Sequence, residues 1–148
     1  MTHARTQIRN AVTALLLNNT SAGSKVYESR IYPLDDPKLP AILIYTKQES
    51  VGDQMSMSKP RTQHRELQLT IEVYVKANSN IDETADGLAL EVEQIIGNDP
   101  TPGGLVKDSI LSTTEIQYSD EGEKPIAVIT LTFAVLYAVK ENTPQTLI

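Results

Sequence analysis

The side chains that could do chemistry are few and scattered. His3 and His64 supply the only imidazoles, and there is no cysteine. Thiolate nucleophiles, disulfides and Cys-based zinc sites are therefore excluded. His64 lies between Gln63 and Arg65, with Asp53 and Glu66 near it in sequence, so general-base catalysis is the role open to it. The simpler expectation is a half-exposed strand residue. Carboxylates cluster at Asp35-Asp36 and at Asp120-Glu121-Gly122-Glu123, residue types that hold Mg²⁺ or Ca²⁺ through oxygen. Neither group has the ligand order of an EF-hand, and solvated turns are expected instead. No Gly-x-Ser-x-Gly elbow, P-loop or dinucleotide fingerprint occurs, and Gly103-Gly104 follows a helical stretch instead of opening one, as a turn would. Lys47, Lys59, Arg61 and Arg65 surround a polar stretch and could touch phosphate. With only Tyr45 nearby as a stacking platform, single-strand binding is poorly supported. No catalytic residue, no cofactor and no metal site is expected.

Composition points the same way. With 148 residues, 40% of them hydrophobic, the chain suits a single domain over 1–148 able to bury a core. A formal charge of −6 argues against a generic nucleic-acid binder held by phosphate contacts. No apolar run approaches the ~18 residues of a membrane span, and residues 1–5 lead into no signal-like core, so no membrane contact is expected. The charge is unevenly spread. Residues 1–76 carry ten Lys/Arg against seven Asp/Glu, whereas residues 77–148 carry three against twelve. Solvated charged faces are the simplest account. The alternative is a basic face of one copy meeting an acidic face of another, a head-to-tail contact that closes into a ring when geometry permits.

The elements that position these residues are legible from periodicity. Ile8, Val12, Leu15 and Leu16 recur at helical spacing and predict a helix over 5–18. Residues 26–32 and 41–45 are rich in β-branched and aromatic residues and predict two strands. Residues 48–62 have no period and contain Gly52 and Pro60, which suits a long loop or the splayed tip of a hairpin. Leu67, Leu69, Ile71, Val73 and Val75 alternate with polar residues over a long strand. Asn80 with Glu83 has the spacing of a capping box, followed by a buried stripe of Ala85, Leu88, Ala89, Val92, Ile95 and Ile96. Residues 109–118 and 126–139 predict a closing hairpin whose second strand lies centrally. A tail after about residue 140 is expected to be mobile. The order α-β-β-β-α-β-β predicts an α+β fold with a mostly antiparallel sheet of about five strands and two helices on one face.

The segment Arg30-Ile31-Tyr32-Pro33, then Leu39-Pro40-Ala41-Ile42-Leu43-Ile44-Tyr45, a polar loop, and the alternating strand Arg65 to Val75 resembles the tail terminator proteins of long-tailed phages, the minor tail protein U family of lambda-like siphophages. The likeness in element order covers roughly residues 4–139. It implies a non-enzymatic structural protein that assembles as a homo-hexameric ring on the finished tail tube. Such a ring stops addition of the major tail tube protein and presents the surface that joins the capsid's neck. It would lie at the head-proximal end of the virion tail, after assembly in the host cytoplasm, with DNA passing through the ring without specific binding. No cofactor is implied, although a divalent ion such as Mg²⁺ could assist ring assembly. Arg30, Asp35, Asp36, Lys47, Lys59, Arg61 and Arg65 are the residues expected at the ring interface or the channel. Two other readings stand beside it: another head–tail joining protein of the neck or tail-completion kind, and a small enzyme using His64.

Overall fold

In a computed structural model of the chain, residues 2–28, 39–52, 57–77, 79–119 and 125–148 are described. Helix α1 (Ala4–Leu16) is followed by β1 (Val26–Tyr27), β2 (Ala41–Val51), β3 (Thr62–Lys76), α2 (Ile81–Asn98), β4 (Asp108–Ser119), β5 (Ile126–Lys140) and β6 (Thr143–Leu147). The α-β-β-β-α-β-β order therefore holds, with one added strand at the end. The six-stranded sheet runs β1-β2-β3-β5-β4, and β6 pairs with β5. The sheet is mixed, because β1 lies parallel to β2 while the other pairings are antiparallel.

The core follows from the alternation. Ile44, Ile71 and Leu131 are neighbours in register across β2, β3 and β5, and each is fully buried. Ile42, Val73 and Ile129 make the adjoining row. Helix α1 lays Ala4, Ile8, Val12 and Leu16 on this surface, and α2 adds Ala85, Leu88, Ala89, Val92 and Ile96. Burying the Ile, Leu and Val side chains among them is worth about 1.5–3 kcal/mol apiece, which makes this face the main source of stability. β5 is central as expected: β3 pairs with its whole length and β4 with the part from Ile126 to Leu136.

Four expectations change. The stretch 48–62, expected as a long loop or a splayed hairpin tip, is a hairpin tip narrower than expected: β2 runs on to Val51 and β3 begins at Thr62, with Gly52 N–H donating to His64 C=O at 2.8 Å and residues 53–56 outside the described residues. Gln48 and Ser50 face Gln68 and Glu66 across the ladder, and Glu49 takes an inward place beside Leu67, so the hydrophobic period fails there while the backbone stays extended. Residues 143–147, expected in a mobile tail, form β6 beside the end of β5 that β4 leaves uncovered. Asn80 takes a left-handed conformation (φ 55°) and its side chain caps nothing, so the capping box does not form. The strand expected over 26–32 is described only at Val26–Tyr27, and the rest of it lies outside the described residues. Gly103-Gly104 is indeed a turn: both residues have positive φ, a conformation glycine adopts without a Cβ clash.

Candidate functional site

A polar cluster closes the end of the sheet where β2, β3, β5 and the first turn of α1 converge. β3 pairs Arg65 with Val51 on one side and with Tyr137 on the other, so the three share a face. Glu49, two residues before Val51, reaches the same point diagonally. Its Oε2 accepts from Arg5 Nη1 at 2.8 Å and from Arg65 Nη1 at 3.2 Å, and its Oε1 accepts from the Tyr137 hydroxyl. Arg65 also donates to Gln63 Oε1 at 2.6 Å. The side chains of Glu49 and Arg65 are only 12% and 11% exposed. Burial, and next the hydrogen bond to Glu49, push the Tyr137 hydroxyl up to about 12. His3 caps α1 by accepting the Arg5 N–H on Nδ1 at 3.1 Å. Burial, aided by Arg5 and Arg65, lowers its pKa below the ordinary histidine value.

This cluster is structural chemistry. Glu49 is shared by two guanidinium groups, and the hydroxyl that meets it is turned inward. Beside it lies a recess of about 370 Å³ lined by His64, Arg65, Glu66, Lys107, Leu136 and Tyr137, among others. His64 and Glu66 are both exposed along the same strand, and Asp53 lies outside the described residues. Among the described residues, no three His, Asp or Glu side chains gather to hold a metal ion. No described helix is long and apolar enough to cross a membrane.

The basic residues singled out in the sequence take different places. Arg65 is enclosed in the Glu49 cluster. Arg61 pairs with Glu141 at 3.3 Å at the start of β3 and is 38% exposed. Lys59 is exposed in the bend before it, near Met57, which is 97% exposed. Lys47 is exposed at an irregularity in β2 between Thr46 and Gln48. Arg30, Asp35 and Asp36 lie outside the described residues, as do Asp120, Glu121 and Glu123. Arg5, Arg9, Glu49 and Tyr137 do not stand out in the sequence as site residues. An arginine pair at helical spacing, Arg5 and Arg9, was the one available signal.

The remaining notable surface is the outer edge of β4. Among the described residues its only strand partner is β5, and Ile110, Ile116 and Tyr118 are each at least half exposed. A 12-residue edge strand with apolar side chains is uncommon on a protein that works alone, because its open N–H and C=O groups invite pairing.

A six-stranded sheet with helices on one face, an internal ion cluster and an open apolar edge defines a small α+β protein. Sequence comparison makes the class specific. The model of the phage minor tail protein U family matches residues 3–137, and the chain belongs to that family. It is thus a structural protein of the bacteriophage tail. No curated protein matches the sequence. Among solved structures, a chain from the virion of native gene transfer agent (GTA) particle matches over 90% of this chain and 92% of its own. It is 15% identical, with a TM-score of 0.40, and carries no weight in the assignment.

Proposed function

We propose that the chain forms a homo-hexameric ring that caps the head-proximal end of the tail tube, ends addition of the major tail tube protein and offers the joining surface for the neck. The observation that carries this reading is membership of the minor tail protein U family across nearly the whole chain. The physical character of the molecule supports it. Ending a polymer requires a surface that docks on the last ring without repeating that ring's own docking surface. That is a matter of shape, and the chain's buried ions serve the fold instead of a reaction. An overall acidic protein lining a DNA channel would not hold phosphate tightly. In this reading the protein acts without catalysis or cofactor, and Lys47, Lys59 and Arg61 lie toward the ring interface or the channel.

Light scattering across a concentration series, with and without Mg²⁺, tests the ring, and electron microscopy of purified tail tubes mixed with the protein tests the cap. Six copies of the 16.3 kDa chain in solution, and density at one end of each tube, are expected. Tubes that keep growing with the protein present, or protein that attaches only to capsids, would replace this reading with that of a neck component.

A further inference from the structure

Among the described residues, the two edges of the sheet differ in charge. On the β4 side, Ile116 and Tyr118 are half exposed, and Tyr118 lies near Asp82 at the start of α2, whose carboxylate raises the pKa of its hydroxyl. Asp86 lies one turn further along α2, and Glu115 precedes Ile116 on the strand; both are exposed. None of these carboxylates has a Lys or Arg ion pair among the described residues. The apolar edge thus has an acidic border, and Lys107 precedes the strand at its other end.

On the opposite edge, β1 reaches only Ile42 and Leu43 of β2. Beyond them stand Arg9, which donates to the hydroxyls of Thr46 (2.8 Å) and Thr6 (3.1 Å), and the exposed Lys47. Neither has a carboxylate partner among the described residues. Of the described carboxylates on this side, Glu49 is occupied by two arginines, and Glu28 lies beside Asn10.

We propose that the β4 edge, with its acidic border from α2, docks the α1–β2 edge of a second copy of this chain. Pairing of two β4 edges with each other would set carboxylate against carboxylate, which disfavours a two-fold contact. A β4-to-β2 contact is heterologous, uses different surfaces on each partner, and repeats until it closes. The strand directions allow it: each successive pairing from β2 through β3 and β5 to β4 is antiparallel, so β4 of one copy runs antiparallel to β2 of a copy set beside it in the same orientation. The inference deepens the ring reading and rests on it for the meaning of closure.

Charge reversal and charge swap test the contact on the full chain. One variant carries Asp82→Lys, Asp86→Lys and Glu115→Lys, a second carries Arg9→Glu and Lys47→Glu, and a third carries all five. Each of the first two is expected to associate at least about ten-fold more weakly than the native chain, and the third to recover association. Circular dichroism confirms that each is folded. Because the chain lacks cysteine, Ile116→Cys with Lys47→Cys and a short dithiol-reactive cross-linker registers even weak contact. A ladder beyond the dimer is expected, with no ladder from either cysteine alone. Association unmoved by both reversals, or an absent ladder with the paired cysteines, overturns the inference. Tube capping that persists in that case leaves the ring reading standing. A ladder without tube capping does the reverse.

Discussion

The Tyr137 hydroxyl donates to the carboxylate of Glu49, a residue 88 positions earlier, and the two meet over Arg65 at the closed end of the sheet. One contact thereby ties β2 to β5 across the strand between them. Arg5 brings the start of α1 to the same carboxylate.

Removing that carboxylate should expose the dependence. Glu49→Ala leaves two guanidinium groups, one nearly buried, without their shared anion, and is expected to cost about 3 kcal/mol. Urea unfolding checks this as a lower midpoint at unchanged slope. Arg61→Ala, which breaks a more exposed pair with Glu141, should leave the midpoint where it is. Equal effects from the two substitutions would refute the ranking.

Alkaline pH should weaken the fold at both ends of β3. The Tyr137 pKa is raised to about 12, first by burial and then by Glu49, and that of Tyr74 is raised to about 12 by burial and Glu72. The unfolded chain loses these protons near pH 10, so it binds fewer protons than the folded chain above that point. Stability is whole below about pH 10 and declines as pH rises toward 12. Tyr137→Phe should reduce that slope and cost about 1–2 kcal/mol at neutral pH. Tyrosinate absorbance during titration, with and without urea, separates the late-ionising tyrosines from the others.

Mild acid acts on the other side of the cluster. His3 must be neutral to accept the Arg5 N–H, and its pKa is lowered by burial and by Arg5 and Arg65. The unfolded chain therefore takes up this proton first as pH falls below about 6.5, and the cap's contribution is present above that pH and lost beneath it. His3→Ser, which keeps a capping oxygen, should flatten this part of the stability profile. His3→Ala should cost about 0.5–2 kcal/mol at neutral pH. An imidazole titration of His3 by NMR at or above 6.5 would contradict the assignment.

The last strand contributes to stability, contrary to the mobile tail expected from sequence. Leu147 opposes Val139, Ile148 N–H donates to Ala138 C=O at 3.0 Å, and Gln7 donates to Gln145 C=O at 2.7 Å. Truncation after Lys140 removes these and uncovers part of Val139, for an expected loss of about 1–3 kcal/mol. Thermal unfolding of the truncated chain should show it. A truncation with native stability would mean that β6 is merely laid on the sheet.

Local pattern determined much of this molecule. Alternation from Leu67 to Val75 and from Ala127 to Tyr137 named the buried face of both central strands, and the spacing of Ala85, Leu88, Ala89, Val92 and Ile96 named the stripe of α2, because burial repeats with the period of the backbone. The family resemblance was legible for the same reason, being carried largely by apolar and turn positions. Tertiary structure alone decided the rest. The polar end of β2 around Glu49 looked like loop because its partners Arg5, Arg65 and Tyr137 are distant in sequence, and their two cations and one hydroxyl let the carboxylate sit inside. Asn80 had the spacing of a cap without the backbone geometry, and Thr143–Leu147 became a strand only because β4 stops short along β5. The charge imbalance was countable from the sequence, but its division between opposite edges of one sheet follows from strand order, which no local spacing encodes.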